Sequence, residues 1–271
     1  MAGRTEQHAG ARESAGRQDL PRPGEPGAER DSGAGRGARL PLVSIFPSID
    51  GEVNSAGQGT LSTFIRLAGC NLRCWGGRCD TPQGLSVTKN TPWMTVDDIV
   101  ARVAALAGRK VTVTGGEPLL YLGKGLEMLL RALEAAGMRI SVETNGSVVP
   151  PAELAGCVEC WIVDRKCPST GETSGMVPLD RMTAALRATD YLKFVIADAR
   201  DYAFAAEIAL RRGSAPGGPR IAFSPKADDM PPARLAGNII RDRLHNVQFN
   251  LQIHKVVWPA GEDGDPALFA P

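Results

Sequence analysis

The sequence predicts an α/β fold, built as an incomplete parallel α/β barrel. Short runs rich in β-branched residues recur at residues 63–67, 111–114, 140–142, 161–163, 192–196, 221–223 and 247–251. Helical patterns separate most of these runs, and strands that alternate with helices form right-handed βαβ units around a parallel sheet. Six or seven such units within about 220 residues indicate a partial barrel. Active sites in this architecture lie at the C-terminal ends of the strands.

The N-terminal segment, residues 1–41, differs in composition from the rest of the chain. Its first forty residues contain eight Gly, seven Arg, seven Ala and three Pro, but no Val, Ile, Phe, Trp, Tyr or Cys. Such a segment cannot bury enough apolar surface to offset the entropy lost on ordering. Its seven Arg are balanced by six acidic residues, so it is neither a polybasic arm nor a transit peptide. We predict a disordered tail.

Four helical patterns stand between the strands. Residues 95–98 form a capping box, which is followed by apolar residues at helical spacing and a stop at Gly108. The second pattern covers residues 125–136 and ends at Gly137, and two further patterns cover residues 179–188 and 202–210. These helices supply crossovers of the kind that parallel strands require.

The overall composition excludes several classes of function. The chain of 271 residues has 31 Lys and Arg against 30 Asp and Glu, and this near-neutral balance argues against a nucleic-acid-binding protein. No apolar run approaches the roughly 20 residues of a membrane span, and no apolar segment resembles a secretory signal. Six cysteines without export indicate thiols in a reducing compartment. We expect a cytoplasmic protein without nucleic-acid or membrane partners.

The most specific feature is a cysteine-rich loop directly after the first of these strands. Cys70, Cys74 and Cys79 lie within ten residues, and this short spacing lets several thiolates converge on a metal centre at little cost in loop-closure entropy. A structural zinc site needs four ligands and the loop offers no histidine, whereas a [4Fe–4S] cluster on three cysteines keeps one iron open. A zinc site completed by a distant residue, or cysteines that are simply buried, are the alternatives.

Five segments in chain order resemble the motifs of one enzyme family. They are residues 45–52 (IFPSIDGE), the cysteine loop with its strand at 64–81, and residues 114–118 (TGGEP), 143–146 (ETNG) and 251–255 (LQIHK). The cysteine loop resembles that of radical S-adenosylmethionine (SAM) enzymes, and the set resembles the 7-carboxy-7-deazaguanine synthases within that superfamily. The resemblance implies a partial barrel of the radical SAM type over residues 42–260, with residues 261–271 as a C-terminal tail.

The resemblance implies three cofactors. Cys70, Cys74 and Cys79 would hold a [4Fe–4S] cluster whose open iron binds SAM, and a flavodoxin- or ferredoxin-like donor would supply the electron that starts the radical chemistry. Thr81 matches the residue through which the family binds Mg2+. Contacts to SAM would come from the following strand ends, at Gly115, Gly116, Glu117, Glu143, Thr144, Asn145, Asp164, Lys166 and Ser224. Glycines would let the backbone approach SAM, and Glu117 would accept from its ammonium group.

The resemblance also implies the reaction, which is conversion of 6-carboxy-5,6,7,8-tetrahydropterin to 7-carboxy-7-deazaguanine with loss of ammonia. Arg66 lies on an otherwise apolar strand, where a guanidinium needs an anionic partner, and it would grip the substrate carboxylate. Glu52 would accept from the amino and ring N–H groups of the pterin. The catalytic residues would be Glu52, Arg66 and His254, and further substrate contacts would come from Ile49, Asp50, Gly51, Thr114 and Gln252.

Two features depart from the family pattern. The cysteines are spaced C-x3-C-x4-C instead of the usual C-x3-C-x2-C, with Gly76 and Gly77 in the longer spacer. Two glycines can bulge out of a loop without disturbing its ligands, because they adopt backbone angles closed to other residues. Asp50 stands where the family commonly has Gln, which predicts an additional negative charge near the substrate.

Two further segments are interpreted conservatively. Cys157, Cys160 and Cys167 form a second group of cysteines, which we interpret as buried thiols, with an auxiliary cluster or a zinc site as the alternative. The run at residues 191–196 (YLKFVI) is interpreted as a core strand and nothing more.

Other functions remain open at the level of sequence. A glycyl-radical activase or a peptide-modifying radical SAM enzyme would share the cysteine loop and the TGGEP segment, but not the segments at 49–52 and 252–255. A non-enzymatic zinc-loop module would account for the thiols alone. The family resemblance further implies a homodimer.

Overall fold

The computed structural model describes residues 37–106, 108–213 and 217–258. One sheet contains nine strands: β1 (Arg39–Ile49), β2 (Leu61–Leu67), β3 (Trp93–Thr95), β4 (Lys110–Gly115), β5 (Arg139–Thr144), β6 (Cys160–Asp164), β7 (Tyr191–Ile196), β8 (Arg220–Pro225) and β9 (Val247–Phe249). Their order is β3-β1-β2-β4-β5-β6-β7-β8-β9, so β3 and β9 form its two edges. From β2 to β9 all neighbours run parallel, and β1 and β3 are antiparallel additions at one side. The predicted incomplete barrel is confirmed.

The helices are α1 (Val96–Ala105), α2 (Leu126–Ala135), α3 (Leu179–Ala185), α4 (Ala199–Arg212), α5 (Pro232–Arg241) and α6 (Ile253–Val257), besides one irregular helical turn at Cys74–Gly77. Short 3-10 turns lie at Pro82–Gly84, Pro118–Tyr121, Ala152–Leu154, Pro168–Thr170 and Thr173–Gly175. The four predicted helices are present, and the Thr95 hydroxyl accepts from the Asp98 N–H at 3.1 Å as the capping box requires. The sequence did not predict α5, because Leu235 alone among its residues is buried and its apolar stripe is narrow.

The ordered sheet begins earlier than the sequence predicted. β1 starts at Arg39 and pairs through Pro41 with Trp93 of β3, and the Leu40 side chain is fully buried. The strand thus starts three residues before the predicted boundary between residues 41 and 42, because composition averaged over forty residues conceals one buried leucine at the end of the segment. Residues 1–36 of the predicted tail, and residues 259–271 at the other terminus, lie outside the described residues.

Alternation along β4 separates an apolar face from a polar face. In β4, Val111 and Val113 pack in the main hydrophobic core beneath the helices. Thr112 and Thr114 point the other way, and the Thr112 hydroxyl lies 2.9 Å from the Ser62 hydroxyl of β2. Successive side chains of a strand face opposite sides of its sheet. The inner face of the barrel is consequently polar at β4, and the residues at the end of this strand can face a ligand.

Among the helices that the structure describes, none is both long enough and apolar enough to cross a bilayer.

Candidate active site

A cavity of about 330 Å³ opens at the C-terminal ends of the parallel strands. Its volume lies at the lower end of the range of small-molecule sites. All but three of the predicted site residues line it, namely Ile49, Gly51, Glu52, Arg66, Cys70, Cys74, Cys79, Thr81, Thr114, Gly115, Gly116, Glu143, Thr144, Asn145, Asp164, Lys166, Gln252 and His254. The strand ends converge there because parallel strands all finish at the same edge of the sheet.

The cysteine loop is fastened to its neighbours by backbone hydrogen bonds. The Gly69 N–H donates to the Gly84 carbonyl at 2.9 Å, and the Cys70 N–H donates to the Leu85 carbonyl at 3.1 Å. The amide of Asn145 lies 3.6 Å from the Cys70 sulfur and donates to the Asn71 side-chain oxygen at 2.9 Å. The three thiols therefore line the cavity on a loop that is held in place by hydrogen bonds.

The chemistry of these thiols fits an iron–sulfur cluster. Burial raises the pKa of Cys74 to about 11 and also raises that of Cys79, so each would need a bound cationic centre to stay a thiolate. Within the described residues, no three His, Cys, Asp or Glu side chains stand close enough to hold a single metal ion. A cubane cluster presents a separate iron to each thiolate, so its ligands need not converge on one ion.

The longer spacer of the cysteine loop adopts left-handed backbone angles. Trp75, Gly76 and Gly77 have φ values of 52°, 68° and 89°, and a Cβ on either glycine would meet no atom within 4 Å. The glycines are therefore needed for their backbone angles and not for space. The spacer docks through Trp75, whose indole N–H donates to the Ser169 hydroxyl at 3.1 Å and whose ring lies 5.2 Å from the Lys226 ammonium.

Gly115 and Gly116 are required by a close approach of protein backbone. A Cβ on Gly115 would lie 2.2 Å from the Leu67 carbonyl oxygen, and one on Gly116 would lie 2.1 Å from that of Gly69. The Gly116 N–H also donates to the Leu67 carbonyl at 2.8 Å. The family resemblance predicts that these glycines contact SAM. In the structure they join the end of β4 to the start of the cysteine loop.

Glu117 does not line the cavity, although the sequence predicted that it contacts SAM. Its carboxylate is fully buried and accepts from the Thr144 hydroxyl at 2.7 Å, the Asn145 N–H at 2.6 Å and the Leu119 N–H at 2.9 Å. Three donors satisfy a buried carboxylate well. In the structure Glu117 fixes the end of β5 and thereby the position of Asn145, and its contact with SAM stays a prediction.

Asp50 also lies outside the cavity lining, and its predicted contact with the substrate stays a prediction. It is fully buried in the layer below, 2.9 Å from the Lys110 ammonium, and it accepts from Thr112 at 2.9 Å and from Asn54 at 2.5 Å. The negative charge that replaces the family's Gln is therefore balanced by Lys110. No local pattern in the sequence indicates this pairing across sixty residues.

Ser224 is the third predicted residue that the structure does not place at the cavity. Its fully buried hydroxyl lies 3.2 Å from the Asn250 amide nitrogen. Lys226, two residues further along, lines the cavity instead. The side chains of Ser224 and Asn250 thus connect β8 to the segment that follows β9.

The Glu52 carboxylate is held from several sides. One oxygen accepts from the Asn250 amide at 2.6 Å, and the other accepts from the Gln252 amide at 2.6 Å and lies 3.1 Å from the Lys193 ammonium. His254 packs against Gly51, where a Cβ would lie 2.1 Å from the imidazole Nδ1. The predicted substrate residues at 49–52 and 252–254 therefore meet in space, although two hundred residues separate them.

Lys193 is a cavity residue that the sequence analysis missed. It lies on β7 with only 5% of its surface exposed, and its ammonium is 3.2 Å from Asp164 as well as 3.1 Å from Glu52. Burial would lower the pKa of Lys193, but the neighbouring carboxylates outweigh it and raise the pKa above its usual value. The signal was a single lysine in the apolar run YLKFVI, the same pattern that singled out Arg66.

Glu143 is a cavity carboxyl group whose pKa is displaced toward neutrality. Its pKa is raised from 4.5 to about 7, mainly by burial, and its carboxyl oxygen accepts from the Thr114 hydroxyl at 2.7 Å. Repulsion from Glu52 and Asp50 contributes to this rise, whereas Lys193 opposes it. The residue can thus change protonation state near neutral pH.

We expect this titration to appear in the stability of the protein. Between pH 4.5 and about 7 the folded state holds the Glu143 proton more tightly than the unfolded state does, so stability falls as pH rises through this window. The loss from this residue is on the order of 3 kcal/mol. Glu143→Gln should remove that fall, which urea unfolding at several pH values would measure. Identical pH slopes for the two proteins would contradict the displaced pKa.

The second group of cysteines does not form one site. Cys157 and Cys167 are buried in the main core, whereas Cys160 belongs to a separate apolar cluster with Val53 and Tyr191. The Cys160 sulfur accepts from the Ser55 N–H at 3.4 Å. This arrangement supports the interpretation as buried thiols and not the auxiliary cluster.

Residues 64–164 match the radical SAM superfamily. This stretch contains the cysteine loop, the glycine motif and the C-terminal ends of β4, β5 and β6. Fold, cavity and match together define the chain as a radical SAM protein.

Relatives narrow this assignment. The chain is 35% identical over 233 residues to the 7-carboxy-7-deazaguanine synthase of Koribacter versatilis, covering 81% of this chain and 97% of the relative. It is 34% identical over 228 residues to the synthase of Methanospirillum hungatei, covering 83% and 88%. QueE from Escherichia coli, at 20% identity, shares the fold with a TM-score of 0.58 over 79% of this chain and 94% of QueE. The chain belongs to the 7-carboxy-7-deazaguanine synthase family.

Proposed function

We propose that this protein is a radical SAM lyase that converts 6-carboxy-5,6,7,8-tetrahydropterin to 7-carboxy-7-deazaguanine with loss of ammonia. Membership of the synthase family supports this reaction. The observation that carries it is that Arg66 and Glu52 line the same cavity as the three thiols. The substrate has one carboxylate and one edge of N–H donors, and the Arg66 guanidinium and the anchored Glu52 carboxylate would receive them.

The cavity is lined by the residues that would hold the cofactors. Cys70, Cys74 and Cys79 would bind a [4Fe–4S] cluster, and the strand ends around Gly116 and Asn145 would face SAM. When bound, the cluster and SAM supply a radical that abstracts hydrogen from the substrate. The other SAM contacts that we propose are Gly115, Glu143, Thr144, Asp164 and Lys166, all of which line the cavity.

Other residues of the same cavity would bind and orient the substrate. Arg66 lies with its guanidinium carbon 5.2 Å from the centre of the Phe46 ring, which itself stacks on Phe64 at 5.5 Å. This stacking limits the directions that the guanidinium can take. Glu52 would accept from the pterin N–H groups, and His254 would contact the same edge from the segment that closes over Gly51.

The direct test is anaerobic turnover of the reconstituted protein with the carboxytetrahydropterin, SAM, Mg2+ and a reductant, followed by mass spectrometry. We expect 7-carboxy-7-deazaguanine and ammonia in equal amounts. A protein that cleaves SAM but leaves the pterin unchanged would refute the lyase assignment and return the peptide-modifying and activase alternatives. A protein that binds zinc and no iron would refute the radical enzyme.

Mg2+ is proposed at Thr81. Its hydroxyl is a hard oxygen ligand at the cavity wall, next to Asp80, which pairs with Lys255 at 2.8 Å. Thr81→Ala should lower the turnover rate by weakening Mg2+ binding, and added Mg2+ should restore part of it. A titration of the rate against Mg2+ concentration measures the shift. Thr81→Ala with an unchanged Mg2+ dependence would remove this residue from the metal site, and Thr91→Ala, in an exposed turn, is the matched control.

We further propose a flavodoxin- or ferredoxin-like electron donor, a homodimer and a cytoplasmic location. The donor follows from the need of the cluster for one electron, and the location from six free cysteines whose chemistry needs a reducing compartment. The homodimer rests on the family resemblance, and light scattering of the purified protein tests it.

A further inference from the structure

The charged groups around Lys193 are arranged unequally. Asp164 has two cations, Lys166 at 2.6 Å and Lys193 at 3.2 Å. Glu52 pairs with Lys193 at 3.1 Å and also accepts from the neutral amides of Asn250 and Gln252. Removal of Lys193 would therefore leave Asp164 with Lys166 and would take from Glu52 a cation that lies 3.1 Å away.

We propose that Lys193 is a positioning residue that fixes the direction of the Glu52 carboxylate toward the substrate. The inference rests on the proposed function, since it assigns Glu52 to the pterin. A carboxylate buried to this degree is costly unless a cation and hydrogen-bond donors compensate it. Asn250 and Gln252 set two directions, and Lys193 supplies the charge.

The fold explains how a lysine reaches this position. Leu192, Phe194 and Ile196 of β7 are fully buried and pack in the main core, so the alternate residues point into the barrel. Lys193 lies opposite Asp164 in the parallel register of β7 with β6. The ammonium thus sits between a strand end that we assign to SAM and the segment that we assign to the substrate.

This placement predicts an effect on the substrate that SAM does not share. Lys193→Met keeps the length and the apolar stem of the side chain and removes the charge. In the reconstituted holoenzyme we expect it to raise the KM for the carboxytetrahydropterin at least 10-fold, while the KM for SAM stays within about threefold and the iron content stays unchanged. Asp164 retains its ion pair with Lys166 in this variant, and this is why the KM for SAM should change little.

A double-mutant cycle tests whether Lys193 acts through Glu52. Glu52→Gln alone should also raise the substrate KM, and the double variant Lys193→Met/Glu52→Gln should be no worse than the weaker-binding single variant, since both remove the same contact. Independent, multiplying effects would overturn the proposal. Absence of pterin turnover by the unmodified protein would refute the proposed function instead, so the two failures can be told apart.

Lys110→Met is the matched control. Lys110 is also 5% exposed and also pairs with a carboxylate, Asp50, but this pair lies below the cavity. We expect a loss of melting temperature with a substrate KM within about threefold of the unmodified protein. If Lys193→Met shows the same pattern, its role is structural and the proposal fails. Should Lys193→Met not fold, Lys193→Arg retains the cation, and a substrate KM raised by more than 10-fold in that variant would equally overturn the proposal.

Discussion

Replacement of Cys70, Cys74 or Cys79 by alanine is expected to abolish iron binding and every turnover of SAM. A [4Fe–4S] cluster in this loop is held by three thiolate ligands, and the loss of one of them prevents stable binding of the cluster. The three thiols line one cavity. The cysteine loop that carries them forms backbone hydrogen bonds with the residues that follow β4 and with the turn at Pro82–Gly84. Iron content after anaerobic reconstitution, visible absorbance and 5′-deoxyadenosine formation measure the loss.

The chain offers its own controls for this experiment. Cys157→Ala and Cys160→Ala remove thiols that are buried in apolar surroundings away from the cavity. Both variants should retain iron content and turnover, with a lower melting temperature because each leaves a small void in the core. Loss of iron in either variant would revive the auxiliary cluster, and a fully active Cys74→Ala would end the cluster assignment.

Arg66→Ala is expected to lower kcat/KM for the carboxytetrahydropterin roughly 30- to 1,000-fold, which corresponds to about 2–4 kcal/mol for a charge-assisted contact in a shielded cavity. The guanidinium lines the cavity and stacks on Phe46. The cluster should assemble normally and slow SAM cleavage without substrate should persist, because neither requires the pterin carboxylate. Steady-state kinetics and 5′-deoxyadenosine formation separate these effects.

Two variants sharpen the test. Arg66→Lys keeps the charge but loses the planar, bidentate geometry, so its kcat/KM should lie between those of the unmodified protein and Arg66→Ala. Arg139→Gln removes an arginine from the opposite end of the barrel, where it pairs with Glu159 at the surface, and should leave the kinetics unchanged. An Arg66→Ala variant that turns over the carboxypterin normally would refute the substrate assignment, and one that loses its cluster would make Arg66 a support of the loop.

The sequence predicted the features of this protein that depend on residues close together along the chain. The period of two in residues such as 111–114 predicts a strand, and the capping box at Thr95 predicts the start of α1. Three cysteines in ten residues and the TGGEP segment predict the cluster loop and its family by residue order alone. The short antiparallel strand β3 was missed because Trp93–Thr95 is too brief to show a period.

Only the tertiary structure decided which charged side chains face the cavity. Asp50 and Glu52 are two residues apart and both are buried carboxylates, yet one pairs with Lys110 below the cavity and the other with Lys193 at its wall. The partners lie 60 and 141 residues away along the chain, and no local pattern selects between them. Strand order and register make that selection, because burial forces each carboxylate to find a cation on whichever neighbouring strand the barrel brings beside it.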